Sequence, residues 1–339
     1  MMAAQASLLP RIGSLLASAF PILVIAALLF SAVYIKPRVA PREVAPIPIH
    51  PRDAFYAADA LPSGQIWMVG RGNKVIVTPG LGQPWKIIEP KPASNWQGVV
   101  AISDKEVLIA GNEGVMLRTQ DAGATWQRVV TKDILTVHDA KFLRLKQDAD
   151  GQIWALAEFG NVLVSKDRGR SWKSLTPKAD IGWNDIAFLP RGRVVIVGEF
   201  GKILSSNDGG QRWSETEIPN TSSLMSVAVR SSGLGVAVGL EGGLLLTQDG
   251  GQTWAAQKPF TRSHLFSVVQ DGGRFVAVGD KGVIAQSTDG RNWAMVPGKQ
   301  NDSAWRTDQI AVGDGLLMAG RNPLFLARDG VKFLTEVSR

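Results

Sequence analysis

The sequence has no cysteine, which rules out a disulfide framework, a thiolate metal site and a cysteine nucleophile. Histidine is almost as scarce. His50, His138 and His264 are the only three, far apart and without the i, i+4 spacing that sets two imidazoles on one helix face around zinc. Only two tyrosines occur, Tyr34 and Tyr56, which leaves little for sialidase chemistry, where a tyrosine nucleophile works with a carboxylate and an arginine cluster. No G-x-x-x-x-G-K-[ST] phosphate loop and no G-x-S-x-G nucleophile elbow is present. These absences predict a protein that is not an enzyme and carries no cofactor and no metal.

What is present begins with charge. The 339 residues hold 37 basic and 30 acidic side chains, a formal +7. Residues 1–52 contain five of the basic groups (Arg11, Lys36, Arg38, Arg42, Arg52) and one acid, Glu43, for a net +4. Only +3 remains for residues 53–339, so the large region is nearly balanced and a nucleic-acid partner is not expected.

The basic N-terminal part frames an apolar run. Ile12 to Ile35 is uncharged throughout, and as a helix rising about 1.5 Å per residue it reaches roughly 36 Å, enough for a hydrocarbon core of about 30 Å. The run is longer than the apolar region of a cleaved signal, and its exit, Phe30-Ser31-Ala32-Val33-Tyr34-Ile35, is a poor cleavage site. The expectation is a tail over 1–11, an uncleaved transmembrane anchor over 12–35 and a spacer over 36–52. Pro37, Pro41, Pro46, Pro48 and Pro51 favour polyproline II in that spacer. Alternatively, Ile47 to Ile49 lies against the following domain as an extra strand. Arg11 lies on one side and Lys36, Arg38 and Arg42 on the other, so a strict positive-inside count would put the C-terminal domain in the cytoplasm, although long domains translocate largely regardless of charge.

Residues 53–339 repeat. A strand ending in Gly or Ala recurs at Gly70, Gly111, Ala157, Gly198, Gly239, Gly279 and Gly320, at intervals of 41, 46, 41, 41, 40 and 41. Seven units of about 41 residues fill the region. Each reads as four short strands separated by Gly-rich turns, which is the pattern of propeller blades. The fold expected is an all-β, seven-bladed β-propeller preceded by one transmembrane helix.

An Asp-Gly-Gly-x-Thr-Trp element opens the fourth strand of most units. Its residues are Asp121, Gly123 and Trp126; Asp167, Gly169 and Trp172; Asp208, Gly210 and Trp213; Asp249, Gly251 and Trp254; and, one residue shorter, Asp289 with Trp293. The carboxylate can accept bonds from turn amides, glycine supplies positive φ, and the tryptophan packs between blades. The row of acids therefore reads as a fold staple. Asp148-Ala149-Asp150-Gly151 resembles a calcium loop, but its place between the first two strands of a unit makes it a hairpin turn.

This Asp box resembles that of the BNR repeats of sialidase-type propellers. With strands such as Trp183-Asn184-Asp185-Ile186-Ala187 and Leu224-Met225-Ser226-Val227-Ala228, and runs such as Val197-Gly198-Glu199-Phe200-Gly201, the whole of 53–339 resembles the photosystem II stability/assembly factor family. The resemblance implies a non-catalytic propeller that assists assembly of a membrane complex. Its non-photosynthetic bacterial members are associated with RND-type exporters, which implies an accessory subunit of such a machine, anchored in the bacterial inner membrane with the propeller in the periplasm. A carbohydrate-binding or glycoside-processing propeller of sialidase type is the alternative.

Two partner-binding surfaces are expected. The turns between second and third strands share one face and carry Arg71, Glu113, Glu158, Glu199, Glu241, Asp280 with Lys281, and Arg321, so five successive acids lie between two arginines. The third unit is five residues longer than its neighbours within Thr131 to Gln147. Lys132, Lys141, Arg144 and Lys146 beside Phe142 and Leu143 read there as a basic and apolar loop. Trp96, Trp183 and Trp305, at the starts of inner strands, read as packing residues.

Overall fold

The computed structural model describes residues 20–30, 48–131, 135, 137, 139–219, 221–297, 302–327 and 330–334. Contacts divide the chain into 1–46 and 47–339. In the first unit residues 20–30 form an α-helix whose Phe20, Ile22, Leu23, Ile25, Leu29 and other apolar side chains are exposed. At about 1.5 Å per residue it covers roughly 16 Å of a 30 Å hydrocarbon core. No helix among the described residues is long and apolar enough to cross a membrane. The remainder of the anchor expected over 12–35, and the spacer as far as residue 47, lie outside the described residues.

The second unit is a seven-bladed β-propeller. Its strands form seven antiparallel sheets of four, and every blade takes its strands consecutively from the chain. The inner strands are Phe55–Ala60, Trp96–Ala101, Phe142–Gln147, Trp183–Leu189, Leu224–Val229, Leu265–Asp271 and Arg306–Val312 in blades 1 to 7. Second strands such as Val107–Gly111 and Ile153–Ala157 are buried at every residue, because each blade is covered by a neighbour on both sides. That explains their unbroken apolar runs. Outer strands such as Gln127–Arg128 and Ala255–Ala256 are exposed at the rim.

Seven apolar clusters hold the ring, one per blade interface. The interface of blades 6 and 7 contains Val276, Val278, Leu316 and Met318. Blades 7 and 1 meet through Leu317, Ala319, Phe55, Met68 and Trp85. Among the described residues no strand is exchanged between the ends; blade 7 takes its four strands from residues 306–333. Closure is completed by an isolated bridge between Ala54 and Arg321, by Tyr56 stacked on Trp305 at 5.9 Å, and by Ile49. Ile49 sits in a bend, 3% exposed, in the same cluster as Leu334. Of the segment 47–49, then, the described residues 48 and 49 add a core side chain to the closing interface and no strand.

The third unit departs from expectation. Its extra length falls between Gln127–Arg128 and Phe142–Gln147, and residues 142–147 are an inner strand. Phe142 is fully buried, Arg144 is buried, and Lys141 and Lys146 are half-buried. The surface loop expected around Lys141, Phe142, Arg144 and Lys146 is therefore corrected. A strand alternating Phe, Arg and Lys is amphipathic here because one side of it faces a polar axis. Lys132 lies outside the described residues.

Candidate binding site along the propeller axis

Each inner strand carries a β-bulge one residue after its start. The register jumps from Phe55 to Ala57, Trp96 to Gly98, Trp183 to Asp185, Leu224 to Ser226, Leu265 to Ser267 and Arg306 to Asp308, and blade 3 skips Leu143 in the same way. A bulge re-aims the residue it leaves unpaired. The seven residues so turned out are Tyr56, Gln97, Leu143, Asn184, Met225, Phe266 and Thr307, and all seven line one mouth of about 140 Å³ with Lys141 and Arg144. They share no chemistry, which is why no motif marks them. The signal that could have found them is positional, the second residue of each unit's first strand.

One residue deeper the ring is polar. Arg144 reaches across the axis, with Nη1 3.0 Å from Asp308 Oδ1 and Nε 3.4 Å from Asp185 Oδ1. Lys146 Nζ lies 2.7 Å from Asp185 Oδ1 and donates to the Ile186 carbonyl. Ser226 donates to Asp185 Oδ2 at 2.6 Å, the Val268 amide donates to the Ser226 hydroxyl, and the Ala58 amide donates to Asp308. Burial works against ionisation of Asp185, but Lys146 and Arg144 hold its carboxyl below the usual range. Burial pushes Asp308 up against the pull of Arg144. Arg144 lines both the mouth and a larger recess beyond it, and so partitions the axis.

That recess, about 430 Å³, opens on the opposite face among Asp59, Leu61, Val100, Lys146, Asp148 and Gln309. Asp59 accepts bonds from the Ala60 and Ala101 amides. Burial nevertheless drives its carboxyl up to about 7. Neither Asp59 nor Gln309 stands out in the sequence. Aligning the units by their inner strands shows five polar residues, Arg144, Asp185, Ser226, Ser267 and Asp308, at one position, the residue after the bulge.

The hairpin tips project around the mouth. Glu113 and Glu241 are exposed, as are Arg71, Lys281 and Arg321, while Asp280 is half-buried. Glu158 and Glu199 are half-buried, and their carboxylates accept the amides of Lys141 at 3.0 Å and Gly182 at 2.7 Å. Phe200, at the blade 4 tip, is 62% exposed, and Val130 is exposed beside the blade 2 tip. Trp96 and Trp183 are buried.

The Asp boxes occupy the other face as turn staples. Asp249 accepts bonds from Thr247 Oγ1, from the Gln252 and Thr253 amides and from the Thr253 hydroxyl. Gly251 N–H donates to Thr247 Oγ1, and Trp254 packs with the blade 4 core. Asp121, Asp167, Asp208 and Asp289 repeat this pattern. Gly123, Gly169 and Gly210 hold positive φ. Trp126, Trp172, Trp213 and Trp293 each join the cluster shared with the preceding blade. Hydrogen bonds from Thr125 and Thr119 hold Asp121 down at about 2; for Asp167 and Asp249, burial opposes a similar set of bonds, which still hold them at about 2. Asp148 likewise closes a hairpin, accepting from the Asp150 and Gln152 amides and from Trp154 Nε1.

Tyr56, the tyrosine of the propeller, points into the mouth and stacks on Trp305, and no carboxylate lines that mouth. Among the described residues no group of three or more His, Cys, Asp or Glu side chains is placed to hold a metal ion.

Taken with the seven consecutive sheets, this geometry defines a seven-bladed Asp-box β-propeller. Among solved structures the chain is similar to YCF48 bound to D1 peptide, with a TM-score of 0.67 and 16% identity over 83% of this chain and 92% of that one. YCF48 from Cyanidioschyzon merolae gives a TM-score of 0.62 and 18% identity over 86% and 98%. An ancestral GH74 enzyme gives a TM-score of 0.63 and 12% identity over 81% of this chain but 44% of that one. At such identities the likeness is one of fold, and the fold serves both binders and enzymes. No protein-family model and no curated protein matches the sequence.

Proposed function

We propose that this chain is a non-catalytic, membrane-anchored propeller whose hairpin-tip face binds a segment of a membrane protein and holds its complex together. The observation that carries this reading is the convergence of seven bulged side chains on one mouth ringed by charged tips and the exposed Phe200. Half-apolar walls with a few polar groups suit a peptide side chain, and exposed tips of both signs, Glu113 and Glu241 with Arg71, Lys281 and Arg321, suit a segment of mixed charge. The likeness to a peptide-bound propeller supports the same use of the fold. On this reading residues 12–35 form the single-pass anchor and the propeller lies in the periplasm of a bacterial inner membrane. The exposed apolar side chains of the 20–30 helix support a lipid contact. An RND-type exporter, which the sequence resemblance implies, is the proposed host complex.

Purifying the full-length protein under mild detergent is expected to recover a membrane protein in stoichiometric amount. A triple variant, Glu113→Lys, Phe200→Asp and Glu241→Lys, chosen because these side chains are exposed, is expected to lose it. A clean monomer that binds or cleaves glycans would instead favour the carbohydrate reading. Protease accessibility in spheroplasts tests the periplasmic placement.

A further inference from the structure

The recess on the Asp-box face holds two acceptors that the protein leaves without a cation. Among its charged residues, Arg144 and Lys146 are engaged by Asp185 and Asp308. That accounts for two positive and two negative charges. Asp59 and Asp148 are left over, and among the described residues no lysine, arginine or histidine lies within ion-pair distance of either. Asp148 is taken up by its own turn, accepting from the Asp150 and Gln152 amides and from Trp154 Nε1, whereas Asp59 accepts only two amides. Gln309 is 4% exposed, and its Nε2 donates to the Ser267 and Val276 carbonyls, which fixes the amide orientation. Its Oε1 then has no hydrogen-bond partner, and Gln309 lines the same recess.

The remaining walls are part polar, with Asp148 and Gln147, and part aliphatic. Leu61, Val100, Ile102 and Ile310 line the space, and Pro62 and Gln147 at its edge are exposed. We propose that this recess is a binding site for an alkylammonium group, which lays its stem on Leu61, Val100 and Ile310 and presents its charged head to Asp59 and Gln309 Oε1. An ammonium carries three donors and no acceptor, which matches a carboxylate beside a lone carbonyl oxygen. An alkyl stem satisfies walls that a hydrated metal ion would not. The chemistry fits a lysine side chain of a protein partner or a free amine, and it is independent of the tip-face reading because the recess opens on the other side of the Arg144 partition.

The site is expected to depend on pH. Asp59 is faced by Asp308 of blade 7 and by Arg144, Lys146 and Asp148 of blade 3; the neighbouring strand Trp96–Ala101 brings no titratable group. Burial keeps a proton on Asp59 up to about pH 7, with Asp308 adding to the effect, so a cation must displace that proton to bind.

The test is calorimetric titration of the full-length protein with n-butylammonium chloride, with n-butanol as the neutral control. Saturable binding of the ammonium and none of the alcohol is expected, about tenfold or more weaker at pH 5.5 than at pH 8. Asp59→Asn is expected to abolish binding, and Gln309→Met to weaken it about tenfold. An acetylated and amidated Gly-Lys-Gly peptide separates the sources. Competition between peptide and butylammonium assigns a lysine side chain, whereas binding of butylammonium alone assigns a free amine. Equal binding of alcohol and ammonium, absence of ammonium binding at pH 8, or affinity unchanged between pH 5.5 and 8 in the wild-type protein would overturn the proposal, however well Asp59→Asn folds.

Discussion

Arg144 shows at the scale of one residue why the axis is closed. Its guanidinium is buried and tied to carboxylates on blades 4 and 7, so it links parts of the ring that share no sheet. Removing it would leave Asp185 and Asp308 facing a low-dielectric interior. Arg144→Met is expected to cost about 3–5 kcal/mol in urea unfolding, and Asp308→Asn in the same chain to restore part of the loss. Asp59 acts in the opposite sense. Its folded-state value, about 7, lies above the unfolded carboxylate range, so its contribution to stability is complete below about pH 4 and is lost as pH rises through 7. Thermal melts should show a melting temperature that declines between pH 5 and pH 8, and Asp59→Asn should flatten that slope. Survival of the slope in the variant would assign it to another group.

At the scale of the element, the blade is a hairpin stack whose turns are chemically fixed. The Asp-box carboxylates replace the hydrogen bonds that a tight turn leaves unmade, and their lowered values give them a pH window of their own. Stability from Asp121, Asp167 and Asp249 is present above about pH 4 and is lost as pH falls through about 2. Asp249→Ala is expected to cost about 1–3 kcal/mol at pH 7 and to lose most of that difference at pH 2, as measured by denaturant titration at each pH. These elements were legible in the sequence, because a turn is a local arrangement written in consecutive residues. The bulges were not. A bulge depends on the pairing of two strands, and the seven residues it turns toward the axis range from Tyr56 to Thr307 without a shared type. For the same reason Arg144 and Lys146 looked like loop cations. Only the position of Phe142–Gln147 at the centre of the ring shows that their side chains face other blades.

At the scale of the whole molecule, the ring closes among the described residues without exchanging a strand, and its last interface depends on apolar side chains from both ends of the propeller. Ile49 and Leu334 meet in that cluster. Ile49→Ala is expected to destabilise the propeller by about 2–5 kcal/mol, an effect that chemical denaturation would register, although the residue precedes the first strand. A change of only a few tenths would mean that the segment before the first strand contributes nothing to closure. The sequence by itself determined the number of blades, the order of strands within each and the turns that join them, because a unit of about 41 residues repeats and each unit folds by local pairing. Only the tertiary structure decided which residues share the axis, where Arg144 and Lys146 neutralise Asp185 and Asp308 and Asp59 is left without a cation. Those residues come from different blades, up to 249 positions apart (308 − 59) between Asp59 and Asp308. Their meeting is a property of the closed ring, and no local periodicity encodes it.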